Sequence, residues 1–264
     1  MRSILAVFAL VLAGLAPRPG AAQTPTGLEL GLEGYFYSYI EPNFVRQDGP
    51  FAGIDARYTW KLGRYFISLD AIAAAGDLNY ASNGTGRKAD IWNYMGDVRV
   101  LAGGDLDLAP AVTASPYSGL GYRLLFDKAG GKVTTTGAVG YDRLSQYLYW
   151  PIGVTVGLRF GAWELRPNAE FDYLIRGWQN SYLTEVGFDS DLENAQHHGY
   201  GLRGALMAAT PTRYGRLSFG PFIRYWNISR SESAAVAVGG APAGTAFEPA
   251  NHTLEAGLRL SLGF

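Results

Sequence analysis

Eight acids (Glu29, Glu33, Asp55, Asp70, Asp97, Glu170, Asp172 and Glu255) recur in segments where every second residue is apolar. Nine arginines share those polar positions: Arg57, Arg99, Arg123, Arg159, Arg166, Arg176, Arg203, Arg224 and Arg259. Carboxylates and guanidiniums on one face can do three kinds of chemistry. They can neutralise each other as ion pairs, line a conduction path, or assist hydrolysis beside a histidine. Near-equal numbers of the two signs predict pairing, because a selective pore favours one sign at its constriction. The absence of lysine from the set fits a packed interior. Arginine keeps its charge and binds carboxylates two-pronged; the four lysines (Lys61, Lys88, Lys128, Lys132) fall outside the predicted strands.

The histidines offer a second candidate chemistry. His197 and His198 follow Asp189 and Asp191, and His252 lies near Thr253 and Glu255. A carboxylate–histidine set could activate water. A pair of histidines without a clustered third and fourth ligand makes a poor metal site. No catalytic, cofactor or metal residues are assigned. Without Arg2 and Arg18 the chain carries 20 basic against 23 acidic residues, and nothing suggests the basic surface that nucleic-acid binding requires.

The elements that must hold these charges are strands. Alternation predicts ten, over residues 28–39, 51–60, 64–75, 90–102, 111–125, 144–160, 164–178, 198–209, 216–228 and 251–264. Eight is the alternative if the weak pattern at 111–121 is not a strand. Pro116, Pro151, Pro167 and Pro221 fall inside these strands and predict bulges or strand ends. The connections 61–63, 103–110, 161–163 and 210–215 are short. Those at 40–50, 76–89, 126–143, 179–197 and 229–250 are long. An even strand count with loops sorted this way predicts an all-β, antiparallel, up-and-down transmembrane barrel. Aromatics mark two rims: Phe36, Tyr37, Trp92, Tyr94, Tyr122, Tyr147, Tyr149, Trp178, Tyr200 and Tyr225 toward the long loops, and Trp60, Tyr65, Phe160, Trp163, Tyr214 and Phe264 toward the short turns.

Both ends of the chain carry addresses. Arg2, the apolar run Ile4–Ala16 and the small residues Gly20, Ala21 and Ala22 predict a signal peptide over 1–22, leaving a barrel domain over 23–264. The chain has no cysteine, hence no disulfide and no lipid-attachment thiol. The final strand, with Gly257, Leu260, Leu262 and terminal Phe264, resembles the carboxy-terminal β-signal of bacterial outer-membrane proteins. That resemblance implies an outer-membrane location and recognition by the barrel-assembly machinery. The segment Tyr37–Gly49, with Gly53 and Tyr58, resembles the first hairpin of uncharacterised proteobacterial outer-membrane proteins.

Two enzymatic barrel classes bear comparison. Omptin-type proteases have ten strands and use Asp pairs with an Asp–His pair, but their Asp-x-His spacing is absent here. Lipid A deacylating barrels use Ser, His and Glu, and no matching Ser accompanies His252. The expected function is therefore an integral outer-membrane scaffold with a charge-bridged, largely closed lumen and interactions made by its loops. The alternatives are a small pore for ions or solutes and a hydrolase with a rim site. Expected partners are outer-membrane lipid and lipopolysaccharide, with no cofactor, and a monomeric state. The acidic set Glu185, Asp189, Asp191 and Glu193 would repel lipopolysaccharide unless divalent cations bridge it.

Overall fold

In the computed structural model, residues 23–264 are described, so the signal peptide expected over 1–22 lies outside the described residues. Fourteen strands follow in order: β1 (Gly27–Glu41), β2 (Val45–Leu62), β3 (Tyr65–Ser82), β4 (Gly86–Gly104), β5 (Leu106–Ala109), β6 (Val112–Asp127), β7 (Arg143–Phe160), β8 (Trp163–Ser181), β9 (Leu192–Gln196), β10 (Gly199–Thr212), β11 (Gly215–Ile228), β12 (Ala234–Val238), β13 (Ala241–Ala246) and β14 (Asn251–Gly263). Ten of them are staves, each antiparallel to its neighbours in the order β1-β2-β3-β4-β6-β7-β8-β10-β11-β14. The sheet closes where β14 pairs with β1, Leu32 opposite Leu260 and Glu33 opposite Arg259. The fold is a closed ten-stranded barrel, and residues 112–121 of the weakly patterned segment belong to β6.

Alternation explains the closure. Along β1, Leu28, Leu30, Leu32 and Phe36 are exposed on the outer face, while Glu33, Tyr35, Tyr37 and Tyr39 are buried inside. The outer face of the other staves repeats this, with Ile54, Leu69, Val98, Leu120, Ile152, Phe171, Leu202, Ile223 and Leu258 all exposed. A one-residue slip anywhere would put charge outside and leucine inside, so the register is strongly specified.

Four expectations are corrected. The first two long loops are mostly strand: the 40–50 and 76–89 segments continue the ladders of β2, β3 and β4 past the membrane level, ending in turns at 42–44 and 83–85. Lys88 accordingly lies within β4, and Lys61 lies at the short-turn end of β2, in an ion pair with Asp105. Arg176 is exposed on the outer face, its guanidinium over the Trp178 ring. The cause is a β-bulge: Tyr149 pairs with Leu174 but Leu148 pairs with Arg176, so one extra residue of β8 reverses the phase. Tyr37, Tyr147 and Tyr149 are core residues rather than rim residues, at 3%, 2% and 0% exposure. They share the inward parity of Glu33 and Arg143, respectively, along their own strands.

The prolines do not end strands. Paired register lapses opposite Pro221 between Ala205–Phe222 and Ala208–Phe219, then resumes in phase. The same happens near Pro151 and Pro167. Each ring removes one donor without disturbing the alternation.

Candidate functional site

From the short-turn end upward, the interior is a vestibule, an ion-pair layer, an aromatic layer and an upper charged cluster. Every stave contributes to the ion-pair layer, because the register brings one or two polar inward positions of each strand to the same height. Arg57 donates two bonds to Asp70, at 2.8 and 2.6 Å. Arg99 bridges Asp70 at 2.7 Å and Glu170 at 2.7 Å. Arg203 meets Asp172 and Asp97, both at 2.7 Å, and Glu170 at 3.1 Å. Tyr149, the contribution of β7, donates to Asp97 at 2.7 Å.

Arg123 joins this half of the layer to the other. Its guanidinium lies 3.9 Å from Asp97 and donates to Glu255, and both Arg123 and Glu255 are fully buried. These two residues sit on β6 and β14, five strands apart either way round the barrel, so the pair spans the lumen. Glu255 also takes a bond from Arg224 at 2.5 Å, and Arg224 reaches Glu33 at 2.6 Å. Arg259 completes the chain with Glu33 at 2.9 Å and Asp55 at 3.6 Å. Seven carboxylates and six guanidiniums thus form one continuous network.

Three residues of the expected charged set lie outside it on the inner side. Glu29 accepts a bond from Ser261 at 3.2 Å nearer the short-turn end. Arg166 is 3.6 Å from Glu164 and makes no nearer ion pair. Arg159 is exposed at the short-turn rim. Arg176, as above, is on the outside.

Above the network the lumen is filled by rings. Tyr37 and Tyr35 stack on Phe51 with centroids 4.8 and 5.3 Å apart, and Trp226 packs on Tyr147 at 5.7 Å and edge-on to Tyr149 at 5.1 Å. Glycines make room for them. A Cβ on Gly121 would fall 2.2 Å from Tyr149, and one on Gly257 would fall 2.4 Å from the Cβ of Tyr35. In the structure, then, Gly257 is a close-packing position on the inner face, whereas Leu258, Leu260 and Phe264 are exposed on the outer one.

The upper cluster was not anticipated. Arg143 meets Glu41 at 3.0 Å, Asp127 at 3.1 Å and Glu248 at 3.7 Å. The Tyr39 hydroxyl lies 2.8 Å from Glu41 and 2.9 Å from Glu248. Glu248 belongs to the last long loop and is buried there; its carboxyl is pushed up to about 7 by burial, with Glu41 and Asp127 adding to the rise and Arg143 opposing it. Sequence parity held the signal: Glu41 continues the Tyr35-Tyr37-Tyr39 series, and Arg143 continues the Tyr149-Tyr147 series upward. Ending the first predicted strand at residue 39 and starting the sixth at 144 hid it.

The candidate hydrolytic residues are dispersed in structural roles. Asp189 accepts the amides of Gly239 and Gly240 at 2.7 and 2.8 Å, pinning the β12–β13 hairpin. Asp191 accepts from the Thr184 amide and hydroxyl, which holds its carboxyl below the usual range. His197 meets Glu232 at 3.1 Å on an exposed surface, and His252 lies against the Tyr225 ring. Among the described residues no group of three or more His, Cys, Asp or Glu could hold a metal ion. At the other end, Asp105 is bonded by Lys61, Thr24 and Ser115. Burial raises its carboxyl, but these bonds outweigh it and hold the group below its ordinary value.

The closed ten-stave barrel, with an apolar belt outside and paired charges within, is the fold of the bacterial outer-membrane β-barrels. No protein-family model matches the sequence, and none of the curated proteins does. Among solved structures the chain is similar to the outer membrane protease OmpT from Escherichia coli, with TM-score 0.60 and 12% identity over 92% of this chain and 98% of that one. It is more distantly similar to the transport unit of the autotransporter AIDA-I from Escherichia coli, with TM-score 0.45 and 10% identity over 100% of this chain and 98% of that one. At such identities the likeness is one of fold.

Proposed function

We propose that the protein is an integral scaffold of the bacterial outer membrane, monomeric, with a sealed lumen and with its interactions made by the long external loops. The observation that carries this reading is the fully buried Arg123–Glu255 pair spanning the barrel, capped by the aromatic layer. A charge pair with no exposed surface, roofed by stacked rings, supports a lumen closed at its middle. Outer-membrane lipid surrounds the apolar belt, lipopolysaccharide meets the loop side, and the β14 sequence is the feature offered to the barrel-assembly machinery. No hydrolytic role is proposed, since Asp189 and Asp191 are engaged in holding the loops and the histidines do not converge on them.

A planar-bilayer recording of refolded protein, with a lipid A and peptide hydrolysis screen on the same sample, tests the reading. Silence in both is expected. Discrete single-channel steps would replace it with the pore, and turnover lost on replacing His197, His198 or His252 would replace it with the rim hydrolase. Arg99→Leu and Arg259→Leu are expected to weaken the barrel without opening a channel; a large new conductance in either would sink the sealed-lumen model.

A further inference from the structure

The vestibule below the ion-pair layer has a chemistry of its own. It is a cavity of about 120 Å³, and a second opening of about 320 Å³ at the short-turn mouth shares Thr24, Glu29, Arg57, Thr59 and Arg166 with it. One bound water needs roughly 10–15 Å³ of such space, so the cavity can hold a ligand of several heavy atoms. The segment before β1 crosses part of this mouth: Thr24 donates from its amide and hydroxyl to Asp105 at 3.1 and 2.6 Å, and Thr26 donates to the Thr59 carbonyl at 3.1 Å.

The charge lining the cavity is one-sided. Six arginines face it and Glu29 is the single acid, because the carboxylates of the network sit behind their guanidiniums. Five of those arginines have carboxylate partners at hydrogen-bond distance. Arg166 differs. Its Nε lies 3.6 Å from Glu164 Oε1, an ion-pair contact beyond hydrogen-bond distance, while Arg216 reaches the other oxygen of that carboxylate at 2.9 Å. Its side chain is only 14% exposed and lines the cavity, with that long contact to Glu164 as its nearest ion pair. Arg57, on the same wall, uses Nε and one terminal nitrogen on Asp70 and keeps the other free, with a side chain 39% exposed. Guanidinium donors on a cavity wall that no protein acceptor fills at hydrogen-bond distance fit a planar or tetrahedral oxyanion held by two-pronged bonds.

We propose that the short-turn vestibule is an oxyanion-binding site, taking a phosphate-sized anion from the periplasmic side with Arg166 as its principal donor and Arg57 as the second. The site goes beyond the scaffold reading and rests on its closed lumen. It is a blind pocket, with the ion-pair layer as its floor.

Calorimetric titration of refolded protein in neutral detergent with inorganic phosphate tests it, with sulfate and chloride as comparison anions. Saturable binding is expected, displaced by sulfate and far less by chloride. Arg166→Gln should weaken it by about tenfold or more, as loss of a charged hydrogen bond implies; Arg166→Lys should recover part of the loss, and Arg143→Gln, at the opposite end, should leave it unchanged. Barrel closure of each variant is checked by its heat-dependent migration in detergent gels. In the native protein, phosphate should also shift the Arg166 Nε–H resonance, a readout that does not depend on any variant folding. Absence of saturable binding, or equal phosphate affinity in Arg166→Gln and the native protein, would overturn the proposal.

Discussion

Two clusters of buried charge stand one above the other in this lumen, and they are built to different proportions. The central layer sets six guanidiniums among seven carboxylates, and each arginine touches at least one acid closely. The upper cluster sets one guanidinium, Arg143, among three carboxylates. Proportion decides behaviour. In the central layer the two signs nearly balance and every guanidinium has a carboxylate at hydrogen-bond distance. In the upper cluster Tyr39 has one hydroxyl hydrogen and two carboxylate neighbours, so its second short contact needs a proton on Glu41 or Glu248. The upward shift of Glu248 to about 7 agrees with that count. The lower layer is a brace, and the upper one is a proton-dependent anchor for the last long loop.

The largest effect should come from breaking the brace. Arg123→Met leaves Glu255 with one cation instead of two, and breaking a buried pair in this way costs on the order of 3–5 kcal/mol. Urea unfolding in lipid vesicles, followed by tryptophan fluorescence, should show it, with the Arg123→Met/Glu255→Met double variant less impaired than the single. A single-variant cost below about 1 kcal/mol would mean the layer is not a brace.

Next in size is Arg143→Gln. It removes the one cation of the upper cluster and should loosen the last loop by about 1–3 kcal/mol, read as lost amide protection at Ser231 and Glu248, whose amides bond across the loop base. If protection there is unchanged, the cluster does not anchor the loop. The pH dependence is subtler. In the folded state Glu248 keeps its proton up to about 7, whereas its ordinary value is 4.5. Over that interval the anchored form binds the extra proton, so anchoring is strongest at the acid end and weakens as pH rises through about 7. Glu248→Gln, which mimics the protonated carboxyl, should flatten this trend in protection factors; a slope equal to that of the native protein would remove Glu248 as the titrating group. The smallest effect belongs to Arg176→Ala, expected to change stability by about 0.5 kcal/mol or less because the side chain is outside both clusters. A loss comparable to Arg123→Met would place it back inside.

Strand parity made the barrel legible, since lipid outside and charge inside give every stave the same alternating text. It also placed most of the central layer, because Glu33, Asp70, Arg99, Arg123, Arg203, Arg224 and Glu255 lie where regular alternation puts them. What escaped was whatever breaks regularity. The bulge at Leu174–Arg176 is a single inserted residue with no composition of its own, and it sent Arg176 outward. The inward tyrosines look like rim residues by type and reveal themselves only by parity, since Phe36 and Tyr37 cannot share a face. The upper cluster lies at strand ends just past the predicted ones, at Glu41 and Arg143, and on a loop residue, Glu248, whose place above the lumen no alternation encodes. Which arginine is left with only a long ion-pair contact is a matter of distances inside the lumen, and no linear pattern encodes that.

The pair that spans the lumen also constrains the order of events in assembly. Arg123 is on β6 and its acid is on β14, the last stave in the chain. Before β14 docks, Arg123 and Arg224 lack Glu255, and Glu33 lacks Arg259. A nine-stave sheet therefore holds mismatched charge that water must solvate, which opposes curling shut around a dry interior. Sealing, neutralisation and strand pairing become one transition, so an incomplete barrel of this sequence is an open one.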